Sequence, residues 1–278
     1  MHEPDGPITA LPGVVGMPVT VSRRRSVFAM LGAVLLLAGS VFAVDWTVYL
    51  YGIPARLYPG IGKPGITLLC LVLVLSIGRH HLDRRDRALL LLAFLCMLPT
   101  DILMSVVALV PGVPVDSPVF MAGGVLSILA HAILAVRHGR GFPYFRKAWR
   151  MERTGETLPG RTWLPALIYG SAVLLIVFLW DGMARVGHLV IGPIYTAFFC
   201  TSTWFAWETV RYRLYPKANA WMAALAMTCW YLTEITGEIY NIGIGAASEI
   251  AFRVVWVFYG TTVVLLALSG FRWTSREG

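Results

Sequence analysis

The chain of 278 residues is 57% hydrophobic and only 14% charged, and its mean hydropathy is +0.69. Soluble domains are about 45–50% apolar and about 25% charged, so this composition excludes a soluble globular enzyme and a disordered chain. The net charge of +8 comes from short basic clusters between long apolar runs, unlike the continuous basic face of a nucleic-acid-binding protein. We therefore predict a polytopic membrane protein with no nucleic-acid partner.

Eight apolar runs follow one another along the chain, and about 20 apolar residues suffice for a helix to cross a bilayer. We predict transmembrane helices over residues 26–44, 60–78, 88–110, 119–137, 162–180, 188–208, 218–243 and 249–269. The fold class is thus an all-α membrane helical bundle, with one transmembrane domain over residues 23–271. Residues 1–22 are rich in Pro and Gly and lack periodicity, which predicts a disordered tail, and residues 272–278 form a second tail.

The basic residues indicate how these helices are oriented. If the N-terminus is cytoplasmic, 19 of the 23 Lys and Arg residues fall in segments that face the cytoplasm. The four on the outer side are Arg56, Lys63, Arg185 and Arg253. This bias is the positive-inside pattern, and it predicts that both termini are cytoplasmic. The short tails and basic loops favour a bacterial cytoplasmic (inner) membrane.

The four cysteines lie inside apolar runs, where a cysteine behaves as a small hydrophobic residue. They are Cys70, Cys96, Cys200 and Cys229. The sequence contains neither a CxxC pair nor a close cluster of His and Cys. We therefore expect no disulfide framework and no metal site.

Two carboxyl groups are expected near the middle of the membrane, where ionisable residues usually face the bundle interior. Asp101 lies in LPTDILMS of the third predicted helix, and Glu234 lies in WYLTEITGEIYN of the seventh. At a rise of about 1.5 Å per residue, both lie roughly 13 Å from the outer ends of their helices. The structural alternative for Asp101 is a hydrogen bond to Thr100 or to a hydroxyl on a neighbouring helix.

Four further polar residues are expected to lie deeper or shallower in the membrane than Asp101 and Glu234. His131 of the fourth helix lies about 5 Å deeper, whereas Lys63, Glu238 and Asn241 are shallower. Together they predict a polar pocket that opens toward the outer half of the bilayer. A structural alternative exists here as well, in which His131 is a packing residue and Glu238 pairs with Lys63 or with Arg253. Glu249 and Arg253 are spaced to form a local ion pair.

Two carboxyl groups in one apolar site cannot both ionise, so one of them retains its proton near neutral pH. Such a site offers a proton donor and a proton acceptor, which is what general acid–base hydrolysis requires. A substrate that reaches the site from the bilayer is a lipid.

Four short motifs resemble the YhhN-like lysoplasmalogenases, a family of integral membrane proteins. Lys63-Pro64 is similar to the Lys-Pro that opens the family's second helix, and Asp101 is similar to the aspartate of its Gly-Asp motif. His131 in GGVLSILAHAILAV resembles the histidine of the fourth helix, and Glu234 in LTEITGEIYNIG takes the aspartate position of a Ser-Asp motif. The likeness spans residues 60–269. The sequence departs from the family at Pro99-Thr100 and at Thr233-Glu234.

The resemblance implies hydrolysis of the vinyl-ether bond of a membrane lysophospholipid, lysoplasmalogen, without a cofactor. The products would be a fatty aldehyde and a glycerophospho-base. Asp101 and Glu234 would be the catalytic pair, Lys63 would contact the phosphate and His131 would hold one carboxyl group. Glu238 and Asn241 would be supporting residues.

Two alternatives from other functional classes remain open. A proton-coupled small-molecule transporter would use the same acids as a relay, although no internal repeat is evident. A non-enzymatic membrane partner or sensor would tolerate carboxamide substitution at both acids.

Overall fold

The structure, a computed structural model, describes residues 21–52, 57–77, 81–109, 117–141, 163–242 and 245–273. Within these ranges, side chains are described for residues 25–52, 60–77, 81–105, 117–140, 163–239 and 250–273. Every regular element in this part of the chain is helical, apart from one antiparallel bridge between His81 and Phe271. The all-α class is therefore confirmed for the described residues. The predicted tail 1–22 lies outside them except for its last two residues, as do residues 274–278 of the second tail.

Nine α-helices lie in the described ranges. They are α1 Val21–Leu50, α2 Leu57–Ile77, α3 Arg84–Leu109, α4 Pro118–His138, α5 Trp163–Phe178, α6 Trp180–Arg185, α7 Ile191–Arg211, α8 Lys217–Ile242 and α9 Gly245–Ser269. A long helix overlies each of the eight predicted segments, and α6 is a short addition between α5 and α7. Proline lies inside α2 at Pro64 and inside α3 at Pro99, where it removes one backbone hydrogen bond from each helix.

Five helices are long and apolar enough to cross a membrane, over residues 25–50, 60–77, 84–105, 118–138 and 250–269. Helix α5 is apolar but has only 16 residues, while α7 and α8 contain buried polar side chains such as Glu208 and Asn219. The outer surface is apolar, with Leu36 78% and Phe178 82% exposed, whereas Arg137 is wholly buried. Apolar residues outside and charged residues inside are the arrangement of a membrane-embedded helical bundle.

Six helices form a closed ring. Helix α2 packs on α3, α3 on α4, α4 on α7, α7 on α8 and α8 on α9, and α9 returns to α2. Helix α1 lies outside the ring against α2 and α9, and α5 lies outside it against α7. Buried apolar side chains such as Leu73, Phe94 and Met227 fill much of the interior. Polar side chains that point into this ring are shielded from the apolar surroundings.

A buried ion pair fixes one end of the ring, and we refer to Asp86, Arg137, Tyr215 and Ser269 as the Arg137 cluster. Arg137 Nε and Nη2 donate to Asp86 Oδ1 and Oδ2 at 3.0 and 3.1 Å, and Nη1 donates to Ser269 Oγ at 2.9 Å. The Tyr215 hydroxyl donates to the Arg137 carbonyl at 2.9 Å. Burial raises the pKa of Tyr215 to about 12, so this donor keeps its proton. The cluster joins α3, α4, α9 and the turn before α8.

Candidate functional site

Asp101 points from α3 into the ring and is 4% exposed. The hydroxyl groups of Thr67 on α2 and Tyr259 on α9 lie beside its carboxyl group. Among the described residues, no hydrogen bond is completed to Asp101 Oδ2 or to Thr67 Oγ1, although both atoms are buried. Thr100 does not supply the missing donor, because its hydroxyl donates to the carbonyls of Cys96 and Gly123 at 2.9 and 3.3 Å. Asp101 therefore lies among neighbouring hydroxyls with one oxygen atom unsatisfied.

Glu234 projects from α8 and is held by donors from two helices. Trp230, one turn earlier on α8, donates its indole N–H to Glu234 Oε1 at 2.7 Å. The Tyr195 hydroxyl of α7 lies beside the same carboxyl group. Glu234 and Tyr195 are only partly buried, whereas Asp101 is buried.

His131 of α4 lies completely buried next to this group. Its Nδ1 is 3.1 Å from Ser202 Oγ, and its Nε2 is 3.2 Å from the Tyr195 hydroxyl. The Ser202 hydroxyl donates to the Phe199 carbonyl at 2.9 Å, so Ser202 accepts from the Nδ1–H of a neutral His131. The Nε2 lone pair then faces Tyr195, whose single hydroxyl proton has two acceptors, His131 and Glu234.

Each of the two carboxyl groups lies beside a tyrosine, and both tyrosines lie next to Trp230. Tyr259, beside Asp101, lies within electrostatic range of Tyr195, beside Glu234. Trp230 completes the junction, with its ring 6.1 Å from that of Tyr259 and 4.1 Å from that of His131. We call Asp101, Tyr259, Tyr195 and Glu234 the carboxyl–tyrosine chain. This arrangement can donate a proton at one end and accept one at the other.

Lys63 contacts a different group of residues. Its Nζ is 3.4 Å from Asp45 Oδ2 of α1, and it lies 4.1 and 4.5 Å from the ring centroids of Phe252 and Trp256. Lys63 thus pairs with Asp45 and not with Glu238, for which Lys63 and Arg253 were the two expected partners. Asp45 could not be predicted as the partner of Lys63, because it lies one residue beyond the predicted first helix. In the structure, α1 continues to Leu50 and includes Asp45.

Glu238 of α8 contacts His188, which lies in the turn before α7. Glu238 Oε1 is 3.2 Å from His188 Nδ1, and the His188 ring stacks on Phe120 at 5.3 Å. The structure therefore does not bring Glu238 into the carboxyl–tyrosine chain, although the two glutamates of α8 interact electrostatically. The side chains of Asn241 and Glu249 lie outside the described residues.

Sequence reasoning missed the uncharged members of the site, Thr67, Tyr195, Trp230 and Tyr259. Hydropathy does not distinguish these residues from packing residues, and each becomes informative only when its neighbour across the ring is known. One signal was available, because Trp230 and Glu234 are spaced i and i+4 on a helix, which lets an indole N–H reach a carboxyl group.

Within the described residues, no group of three or more His, Cys, Asp or Glu side chains is placed to hold a metal ion. Comparison of the chain with protein families, with curated proteins and with solved structures found no match.

Proposed function

We propose that the protein is an intramembrane lipid hydrolase that cleaves the vinyl-ether bond of a lysoplasmalogen-type lysophospholipid by general acid–base catalysis. The observation that supports this proposal is the carboxyl–tyrosine chain inside the helix ring. Asp101 and Glu234 each lie beside a tyrosine hydroxyl, and the two tyrosines interact. The four motifs that resemble the lysoplasmalogenases supply the substrate class.

The two acids would have different roles because their surroundings differ. Asp101 Oδ2 receives no hydrogen bond among the described residues, so Asp101 suits the protonated form and acts as the acid. Glu234 accepts the Trp230 N–H, which stabilises a carboxylate, and it is less completely buried than Asp101. Glu234 therefore acts as the base.

The reaction would begin when Asp101 transfers its proton to the vinyl carbon that does not carry the ether oxygen. The π electrons form the new C–H bond, and an oxocarbenium ion results. The Glu234 carboxylate stabilises this cation and accepts a proton from the water that attacks it. The resulting hemiacetal loses its hydroxyl proton to the ether oxygen as that C–O bond breaks, which gives a fatty aldehyde and the free hydroxyl of the glycerophospho-base. The proton that Glu234 took returns to Asp101 through Tyr195 and Tyr259.

His131 would be a positioning residue that fixes the Tyr195 hydroxyl, in keeping with its 3.2 Å contact. The phosphate contact expected for Lys63 stays a prediction, and in the structure the ammonium of Lys63 is paired with Asp45.

We further propose that all eight long helices cross the membrane and that both termini are cytoplasmic. The distribution of 19 of the 23 basic residues supports this orientation. The same distribution favours a bacterial inner membrane. Helices α7 and α8 can cross despite their polar residues, because side chains such as Glu208 and Asn219 are buried in the protein.

The test is the release of fatty aldehyde by the purified protein in detergent micelles. The substrates are a lysoplasmalogen and its saturated 1-O-alkyl analogue, which lacks the double bond that accepts the proton. Aldehyde is expected from the vinyl ether alone. A folded protein that releases none would contradict the proposal. In that case, proton-gradient-driven uptake by proteoliposomes would support the transporter, and its absence would support a membrane partner.

A further inference from the structure

A groove lies outside the ring, between α1, α2 and α9, with a cavity volume of about 360 Å³. Its walls include Ala38 and Gly39 of α1 and Gly260 of α9, whose small side chains leave the space open. A Cβ atom placed at Gly39 or at Gly260 would meet no other atom within 4 Å. The groove borders the apolar exterior, since Leu35 and Val257 both line it and both are exposed.

Charged side chains line one end of the same groove. Asp45, Lys63 and Arg253 all contribute to its wall. Lys63 is 2% exposed and lies over Phe252 and Trp256, while the Arg253 guanidinium lies 4.2 Å over the ring of Tyr49. Among the residues whose side chains are described, the groove end presents two cations and one carboxylate, and aromatic rings lie against both cations.

The apolar part extends away from these charges. Ten residues of α1 separate Asp45 from Leu35, and twelve residues of α9 separate Arg253 from Leu265, so the groove is roughly 15–18 Å long at 1.5 Å per residue. A narrow apolar channel of this length that begins at two cations matches a molecule with an anionic head and a hydrocarbon tail. Such molecules surround the protein in a membrane.

We propose that this groove binds a phospholipid, with its phosphate between Lys63 and Arg253 and one acyl chain along Gly39 and Gly260. Phosphate is the anion that most membrane lipids carry beside their chains, and Lys and Arg are its usual ligands. The site does not rest on the proposed hydrolysis. Trp256 separates the groove from the interior, with its ring 5.5 Å from that of Tyr259.

The experiment measures lipid binding by native mass spectrometry of the purified full chain. Dioleoyl phosphatidylglycerol is compared with dioleoylglycerol, which has the same chains and no phosphate. Gly260→Leu adds a side chain to the groove at a position where a Cβ meets no atom within 4 Å, and Gly39→Leu does so from the facing helix. Gly170→Leu on α5 is the matched control, because a Cβ there also meets open space. Arg253→Gln removes one proposed phosphate ligand.

We expect each groove variant and Arg253→Gln to weaken phosphatidylglycerol binding at least tenfold. Gly170→Leu should bind like the unchanged protein, and dioleoylglycerol should bind at least tenfold more weakly. Equal binding by Gly260→Leu, Gly39→Leu and Gly170→Leu would overturn the groove as the site. Equal binding of the two lipids would overturn the phosphate contact. Two groove variants are measured so that the test still stands if one of them fails to fold.

Discussion

The bundle buries two polar groups that differ in how completely they are hydrogen-bonded. In the Arg137 cluster, each Asp86 oxygen accepts a hydrogen bond from the Arg137 guanidinium. The third nitrogen of that guanidinium, Nη1, donates to Ser269 Oγ. In the carboxyl–tyrosine chain, Asp101 Oδ2 is buried and makes no hydrogen bond within the described residues. Both groups join helices that are distant in sequence, so helix packing alone does not explain the difference.

This contrast separates two uses of buried polarity. In the Arg137 cluster each nitrogen of the guanidinium and each oxygen of the carboxylate already has a partner, so the ion pair serves to hold α3, α4 and α9 together. A buried carboxyl oxygen without a hydrogen-bond partner costs free energy, and it leaves an atom available to a substrate or to a transferred proton. The chain that contains Asp101 is therefore the better candidate for chemistry.

The largest expected effect is on stability, from Asp86→Asn. The change leaves the wholly buried Arg137 without its counter-charge, which costs about 3–5 kcal/mol of unfolding free energy. Thermal unfolding in detergent, followed by circular dichroism, should show a large fall in Tm. The control is Asp83→Asn three residues earlier, where the carboxyl group is partly exposed and the amide can still cap α3. A similar fall in Tm for both variants would contradict the structural role of the Arg137 cluster.

The second largest effect is expected on kcat, for the substitution Glu234→Gln. Loss of the carboxylate should lower kcat for vinyl-ether hydrolysis by about 10²–10⁴-fold, while the amide oxygen still accepts the Trp230 N–H. Glu208→Gln is a matched control, because Glu208 accepts the indole N–H of Trp204 at 2.9 Å in the same i, i+4 arrangement. Aldehyde release by the two variants at equal rates would remove Glu234 from the mechanism.

A smaller change is expected from Tyr195→Phe. The ring and its packing remain, but the hydroxyl that lies between His131 and Glu234 is lost. We expect kcat to fall about tenfold, which corresponds to about 1.4 kcal/mol in the activation free energy. Tyr169→Phe is the comparison, since Tyr169 bonds Thr201 at 2.6 Å outside the ring. No difference between the two variants would contradict the proton path through Tyr195.

The smallest effect concerns acid stability and Asp83. Burial alone would raise the pKa of this carboxyl group, but the Asp86 N–H and the Arg140 guanidinium hold it below its usual value of 3.8. The stabilisation is therefore present above that value and is lost as pH falls through the lower folded-state pKa. The Tm difference between the unchanged protein and Asp83→Asn should be steady above pH 5 and should shrink below pH 4. A constant difference down to pH 2 would contradict this assignment.

Helix positions could be predicted from the sequence because apolar run length decides where a chain can cross a bilayer. The ionisable residues Asp101, His131 and Glu234 could also be selected, since each is costly in a span. Their partners could not, because Tyr195 and Tyr259 meet them only through the packing of α7 and α9 around the ring. The ion pair of Arg137, the last residue of the predicted fourth helix, could not be predicted, since its pairing with Asp86 depends on how α3 packs against α4.

The most direct test of the central claim measures activity and stability together in Asp101→Asn. The purified variant is assayed for aldehyde release from lysoplasmalogen, and its Tm is measured in the same preparation beside Asp86→Asn. The account predicts that Asp101→Asn loses at least 99% of the activity, or about 10²-fold, and keeps a Tm near that of the unchanged protein. Full activity in Asp101→Asn, or a loss of Tm as large as that of Asp86→Asn, would contradict it.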